Sequence, residues 1–236
     1  LTKHASASAP ISASTGPAWS VDVGANTSKA SPLVGRNSLV YVLEDAAIDR
    51  LHAISLATGG LLWTQNLGAG LGTSSPMYWD NGSGDDVVFV GSDKLYAVNA
   101  TTGAIMGRSV ALTGTVASAP MKISGTVYVM TTSAKLYGFL GTSFTGAATN
   151  IAAFVSNTTL TGAVGSASLA TNNTDIIFFA VGNKLYKIGS GLPAGTPTSV
   201  TLGTLATNFT NATPLLDSGN FVFIGGADGR LYRVNG

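Results

Sequence analysis

One loop groups the side chains with the strongest chemical potential in this chain. Residues 79–86 read Trp-Asp-Asn-Gly-Ser-Gly-Asp-Asp. Carboxylate and amide oxygens on a glycine-permissive backbone suit Ca²⁺. The candidate calcium ligands are Asp80, Asn81, Asp85 and Asp86. A polar hairpin with an Asn-Gly turn explains the same residues without a metal. This second interpretation is favoured, because Gly82 stands where such a loop normally carries a further acid.

The aromatic residue at the edge of this loop is a candidate for ligand stacking. An indole ring can stack on a sugar or another ring system, so Trp79 is the residue we would test for carbohydrate binding. A second acidic group, formed by Glu44, Asp45 and Asp49, lies in another turn. We expect that group to be a solvated turn.

Catalytic constellations are missing from the sequence. The two histidines are His4 and His52, and His52 stands where a repeated motif otherwise has Tyr, so we expect it to be a packed aromatic substitute. No HExxH, GxSxG, Walker or dinucleotide fingerprint occurs. A serine nucleophile needs an adjacent base, which this sequence does not offer. The chain is therefore predicted not to be an enzyme.

Asn-x-Ser/Thr sequons recur along the chain. They would be glycan acceptors only in an exported protein whose source has the glycosylation machinery. A chain rich in Ser and Thr also generates such triplets without selection. The candidate acceptors are Asn26, Asn81, Asn99, Asn157, Asn172, Asn208 and Asn211.

Composition excludes several classes of protein. The 236 residues include 12 Lys and Arg and 11 Asp and Glu, so the net charge is +1, and charged residues are only 10% of the chain. This balance argues against a nucleic-acid partner or a polybasic lipid-binding face. No apolar run approaches the roughly 18 residues of a membrane helix. With no Cys, disulfides and thiolate metal sites are excluded.

The candidate functional residues lie within an internal repeat of about 45 residues, which must position them. A tripeptide that begins with Leu and usually continues with Tyr recurs at residues 51–53, 95–97, 136–138, 185–187 and 231–233. A second marker, usually Ser-Pro or a close variant, recurs in step at residues 31–32, 75–76, 119–120, 167–168 and 213–214. Two markers in step, five times over, establish five repeat units.

Each unit consists of short strands. Runs of β-branched and aromatic residues, bounded by Gly, Asn, Asp or Ser, lie at residues 40–42, 87–90, 127–129, 176–179 and 221–224. A tight turn and the Leu-Tyr strand follow each run, and no segment shows a sustained helical period. About 45 residues with four short strands is the size of one propeller blade.

The first two units carry a family resemblance. Residues 51–63, with Thr58-Gly59 and Trp63, and residues 95–103, with Thr102-Gly103, resemble the repeat of the quinoprotein-type (PQQ-like) β-propellers. The resemblance covers nearly the whole chain after residue 14, but the later units lose the Thr-Gly turn and the Trp. It implies a propeller fold. The same family includes PQQ-dependent dehydrogenases, which bind Ca²⁺ and have a catalytic Asp and often a vicinal disulfide. None of these features can be mapped onto this chain. We therefore expect a non-catalytic member without cofactor.

The two ends of the chain predict a closed ring. The fifth unit is one strand short, whereas residues 15–23 match the outermost strand of the first unit, with Trp19 placed 44 residues before Trp63. An N-terminal strand that completes the last blade would remove an exposed sheet edge. The prediction is an all-β, five-bladed β-propeller of four-stranded antiparallel blades in residues 15–236, preceded by an extended tail at 1–14. Relatives of this type usually have seven or eight blades.

Three functions remain open on the sequence. The leading hypothesis is a non-catalytic exported propeller, outside the cell, at its surface or in the periplasm, that acts as a protein-interaction or structural module. Leu1 is not an initiator Met, which favours removal of an export signal. Its partners would be other proteins. They could be copies of itself, or the subunits of a filament or envelope assembly in which this chain is the globular head. A carbohydrate-binding propeller is the alternative, and a PQQ-dependent dehydrogenase is the third hypothesis.

Overall fold

Short strands, nearly all of them antiparallel, are the regular secondary structure of the described residues. In this computed structural model the described residues are 17–24, 29–80, 82, 86–141, 150–151, 154–155, 169–171, 176–189, 197–203 and 212–236. They form five separate sheets that follow one another along the sequence. Within these residues no helix has the length and apolar character that a membrane span requires.

The first sheet shows the plan of the repeat. Its strands lie in sequence order and are antiparallel: β1 (Leu33–Val34), β2 (Leu39–Glu44), β3 (Arg50–Ser55) and β4 (Leu61–Asn66). Tyr41 on β2 is opposite Ala53 on β3, which is in turn opposite Trp63 on β4. This row places Trp63 on the outer strand, on the same face of the sheet as Tyr41.

The second and third sheets repeat this plan. The second contains β5 (Met77–Trp79), β6 (Val87–Gly91), β7 (Leu95–Asn99) and β8 (Ile105–Ser109). The third contains β9 (Met121–Ile123), β10 (Thr126–Met130) and β11 (Leu136–Leu140). Two short strands follow, β12 (Asn150–Ile151), which pairs in parallel with β8, and β13 (Phe154–Val155), which pairs with β11. The second sheet therefore has five strands.

The last two sheets differ in completeness. The fourth contains β14 (Leu169–Thr171), β15 (Ile176–Val181), β16 (Lys184–Gly189) and β17 (Thr198–Thr201). The fifth has three described strands, β18 (Leu215–Leu216), β19 (Phe221–Gly225) and β20 (Leu231–Asn235), with β20 at its edge.

The hydrophobic core lies between successive sheets. Alternate residues of each strand point to opposite faces, so a sheet can pack one face on the preceding sheet and the other on the following one. We call these the backward face and the forward face. Tyr41, Leu43 and Leu51 on the forward face of the first sheet pack with Val90 and Tyr96 on the backward face of the second. Equivalent clusters join the second to the third, the third to the fourth and the fourth to the fifth sheet.

Hydrogen bonds between positions one repeat apart connect neighbouring units. The backbone N–H of Ser31 donates to Ser75 Oγ over 2.8 Å, and Thr73 Oγ1 donates to the carbonyl of Ala117 over 3.3 Å. Both pairs are 44 residues apart. The second marker of the sequence therefore lies where one unit meets the next.

The architecture confirms the all-β class and the five successive sheets. The strand number departs from four in two of them, because β12 extends the second sheet and the fifth has three described strands. Residues 17–24 form no strand, and β20 has no described neighbour on its outer side. Closure of the ring by residues 15–23 stays a prediction. The predicted tail at residues 1–14 lies outside the described residues.

Candidate interaction site at the two end sheets

The forward face of the fifth sheet is exposed, unlike the same face of the other sheets. The Leu of the repeated tripeptide is fully buried at Leu51 and Leu95 and 4% exposed at Leu185. In the fifth sheet its equivalent, Leu231, is 73% exposed, and Leu215 is 65% exposed. An apolar surface that four repeats bury is therefore left open in the fifth. Contiguous exposed apolar surface is characteristic of interaction sites.

A basic side chain lies on this exposed face. Arg233 lies on β20 two residues from Leu231, with its guanidinium carbon 3.5 Å from the centre of the Phe221 ring. Arg230, whose side chain is 73% exposed, precedes β20 and lies on the opposite side, with its guanidinium 3.9 Å from the carboxylate of Asp228. A partner for this face would combine apolar side chains with at least one acid.

At the other end, residues 17–24 lie against the backward side of the first sheet. Trp19 Nε1 donates a hydrogen bond of 3.0 Å to the carbonyl of Leu56. The indole is so close to Gly59 that a Cβ there would lie 2.7 Å from it. Trp63 holds the same position against Gly103 of the following sheet, also at 2.7 Å. Residues 17–24 thus occupy the place that the outer strand of a preceding sheet would take.

The burial of these residues also follows the pattern of a strand. Their side chains alternate between half-buried and exposed. The half-buried ones are Trp19, Val21 and Val23, and the exposed ones include Ser20 and Asp22. Alternation with period two is what an extended segment with one packed face requires.

A buried polar cluster lies beneath this segment. Glu44 is 2% exposed, and its carboxylate accepts hydrogen bonds from Arg50 Nη2 at 2.8 Å and pairs with His52 Nε2 at 2.9 Å. The other ring nitrogen of His52 lies 2.9 Å from Thr64 Oγ1. Gly24 approaches so closely that a Cβ there would lie 2.1 Å from a Glu44 oxygen. The expectation that His52 replaces a packed Tyr is confirmed by its burial.

The prediction that Glu44, Asp45 and Asp49 form a solvated turn is wrong for two of these three residues. Glu44 is buried as described, and Asp49 is fully buried, with its carboxylate accepting a 2.7 Å hydrogen bond from Ser92 Oγ. Burial raises the pKa of Asp49, and the Ser92 hydrogen bond opposes part of that rise. Asp45 alone keeps an outward ion pair, 3.7 Å from Lys29 Nζ. Burial of these two carboxylates could not be predicted from the sequence, because it depends on the neighbouring sheet.

The candidate calcium loop has its described acids engaged with the protein. Asp80 accepts the N–H of Gly82 at 2.9 Å and pairs with Arg36 at 2.6 Å, and these two contacts lower the pKa of Asp80. Asp86 accepts a short hydrogen bond from the hydroxyl of Tyr78. Asn81 and Asp85 lie outside the described residues. Over the described parts of the chain no three His, Asp or Glu side chains are grouped to hold a metal ion.

The Asp80–Arg36 pair is a contact that sequence reasoning missed. The two residues are 44 apart, one repeat, and belong to adjacent units. Aligning the charged residues of successive units would have paired them. The calcium site stays a prediction, and the Gly82 contact is the one that the hairpin interpretation expects.

Trp79 lies between the second and third sheets. Its ring stacks on Phe89, with centroids 5.9 Å apart and planes at 25°. The ammonium group of Lys122 lies 4.5 Å from the centre of the same ring, at cation–π distance. A sugar ring would therefore compete with Lys122 for the indole. Ligand stacking on Trp79 stays a prediction.

One glycan acceptor candidate can be located. Asn99 ends β7, and its Oδ1 accepts the backbone N–H groups of Thr101 and Thr102 at 3.0 and 2.9 Å, which fixes the following turn. The remaining candidates lie outside the described residues: Asn26, Asn81, Asn157, Asn172, Asn208 and Asn211. Glycosylation stays a prediction for all seven.

Sequence comparison identifies the class of repeat. Residues 47–143 match the model of a family described as outer membrane protein assembly factor BamB. Together with the five sheets, this match supports the predicted PQQ-like β-propeller repeats. None of the curated proteins compared with the chain matches it.

Two solved structures share the fold. BamB from Moraxella catarrhalis is 18% identical, and the similarity covers 86% of this chain and 57% of that one, with a TM-score of 0.60. The Dos1 propeller is 16% identical, with 86% and 56% covered and a TM-score of 0.60. The chain therefore spans little more than half the length of either structure. At such identities the similarity establishes the fold alone.

Proposed function

We propose that the chain is a non-catalytic protein-interaction propeller of the cell envelope or cell surface. The observation that carries this proposal is the exposed forward face of the fifth sheet, where Leu215 and Leu231 lie open although the four preceding sheets bury the equivalent surface. Apolar surface of this kind, with Arg233 beside it, suits a protein partner. The matched family is described as outer membrane protein assembly factor BamB, which supports an envelope role.

The engagement of the buried titratable groups among the described residues supports a binding role. His52 is buried between Glu44 and Thr64, and Asp49 is buried against Ser92, so each has a structural partner. A PQQ-dependent dehydrogenase would oxidise alcohols in a dye-linked assay when PQQ and Ca²⁺ are added. We expect no activity in that assay, and dye reduction above the protein-free rate would contradict the non-catalytic proposal.

Within this role, the chain serves as the globular head of a filament or envelope assembly. This finer statement is supported by the two ends of the sheet array, one exposing an apolar face and the other carrying residues 17–24 against the first sheet. Two different end surfaces allow a protein to be built into a larger structure in one direction.

Site-specific photocrosslinking in the native cells tests the proposed function. A photoreactive phenylalanine derivative at position 231 should yield covalent protein adducts in the envelope fraction. The matched control is position 199 on β17, also exposed but on another sheet, which should yield few. Adducts equally abundant at both positions would contradict the assigned face. Binding to a glycan array without protein adducts would overturn the proposal in favour of the carbohydrate alternative.

A further inference from the structure

The fifth sheet has no outer strand among the described residues, and residues 17–24 lie where an outer strand would lie. The fifth sheet has three described strands with β20 at its edge, and a row of exposed residues on its forward face. Residues 17–24 have the packing of an outer strand, with Trp19 over Gly59, but belong to none of the five sheets. A sheet that has a free edge is a template for an extended segment.

The repeat fixes the register in which the two would pair. In the first sheet Ala53 is opposite Trp63, Leu51 opposite Gln65 and Arg50 opposite Asn66. Equivalent positions in the fifth unit are Arg233, Leu231 and Arg230, and those in the N-terminal segment are Trp19, Val21 and Asp22.

In this register the side chains match chemically. Val21 would lie opposite the exposed Leu231, and Asp22 opposite the exposed Arg230. Trp19 would lie opposite Arg233, at the place that Trp63 takes opposite Ala53. Apolar and opposite-charge pairs directly across a ladder are the combinations that stabilise sheets.

Geometry favours pairing between two copies of the chain. Residues 17–24 contact the first sheet, and within the described residues β20 has no neighbour on its outer side. Neither the segment nor the edge is therefore used by the other within one described chain. A second copy can bring its residues 17–24 to this edge while the packing between the sheets stays unchanged.

We propose that residues 17–24 of one copy complete the fifth sheet of another. The fourth strand of that sheet, and the first sheet behind it, would then cover Leu215 and Leu231. Because the two surfaces differ, the contact is head-to-tail and repeats from copy to copy. This inference rests on the proposed interaction role of the same face and names a second copy of this chain as its partner.

A disulfide trapping experiment tests the pairing, since the chain has no Cys of its own. Val21→Cys is made in one preparation and Leu231→Cys in a second that carries a larger tag, and the two are mixed under mild oxidation. Directly opposite residues place their Cβ atoms within disulfide range. We expect a mixed dimer of intermediate size, at least about tenfold more abundant than with Asp22→Cys, whose side chain points to the other face.

The double variant Val21→Cys/Leu231→Cys decides between one copy and two. Head-to-tail pairing gives a ladder of disulfide-linked chains on a non-reducing gel. A fast-migrating monomer with an internal disulfide would overturn the proposal and establish closure within one chain. If neither the disulfide-linked ladder nor the internally linked monomer forms, the proposed pairing of Val21 with Leu231 is wrong.

An uncrosslinked measurement keeps the test independent of the cysteines. Leu231→Asp should lower the mass measured by light scattering to that of one chain, with an unchanged circular dichroism spectrum because Leu231 is exposed. An unchanged assembly mass would contradict the proposal. If photocrosslinking at position 231 captures a different envelope protein, the interaction role stands and pairing between copies fails.

Discussion

The indole of Trp63 lies directly against Gly103, one sheet further along the chain. A Cβ at Gly103 would be 2.7 Å from the indole, and the residue has a φ of +75°. Two separate factors therefore favour glycine at this position: the close contact with the indole and the positive φ. Trp19 and Gly59 repeat the arrangement one unit earlier, with φ of +72° at Gly59. This contact explains why a Thr-Gly turn and a Trp recur together in the first units.

Replacing this glycine tests the contact. Gly103→Ala should destabilise the protein by about 2–4 kcal/mol, because a positive φ and a steric conflict with Trp63 act together. The measurement is the free energy of unfolding from urea denaturation.

Gly229→Ala is the matched control. Gly229 has a φ of +78° but nothing within 4 Å of its Cβ position, so only the backbone cost of about 1 kcal/mol applies. Equal losses in the two variants would show that the Trp63 contact contributes nothing.

The buried carboxylate of Glu44 should contribute strongly to stability. Glu44→Gln keeps the shape of the side chain but weakens its charge-assisted contacts with Arg50 and His52, and we expect a loss of about 1–3 kcal/mol. Asp45→Asn, in the exposed pair with Lys29, should cost less than about 1 kcal/mol. Urea denaturation of both variants measures the difference. A larger loss for Asp45→Asn would refute the assignment of Glu44 as the buried partner.

Asp49 should make stability depend on pH in the acidic range. Burial raises its folded-state pKa above the ordinary value of 3.8, so the folded protein holds this proton more tightly than the unfolded chain does. Its contribution is complete below that value and is lost as the pH rises through the folded-state pKa. Asp49→Asn should lack this component, so the stability of the variant relative to the wild type should rise with pH. Thermal unfolding between pH 3 and 7 measures it, and parallel curves would contradict the prediction.

Three of the seven tyrosines should ionise late in alkaline titration. Burial raises the pKa of Tyr41, Tyr78 and Tyr96 above the ordinary value of 10, and the nearby carboxylates of Asp86 and Asp93 add to the rise at Tyr78 and Tyr96. Phenolate absorbance at alkaline pH should show these groups ionising only as the protein unfolds. Stability from them is lost as the pH rises above 10.

Single phenylalanine variants assign this late phase. Tyr78→Phe and Tyr96→Phe should each remove one equivalent of it, and in denaturant all tyrosines should titrate together near the ordinary value. Complete ionisation of the folded protein near pH 10 would show that these hydroxyls are accessible to solvent.

Most of the fold could be predicted because its signals are local. Period-two alternation and tight turns, such as the one fixed by Asn99, recur within each unit of about 45 residues, so the strands and their sheets follow from the spacing. The parallel addition of β12 to the second sheet could not be predicted, because it joins segments about 40 residues apart outside the repeat plan. The Arg36–Asp80 pair lay within reach, since one repeat separates its members.

The sequence by itself determined the repeat, the five sheets and the face on which each side chain lies, because these depend on alternation and turn chemistry within short segments. Only the tertiary structure decided that Glu44 and Asp49 are buried whereas Leu215 and Leu231 are exposed. The reason is that burial is a property of two surfaces in contact: the same strand pattern gives a core residue where another sheet packs against it and an open apolar face where none does.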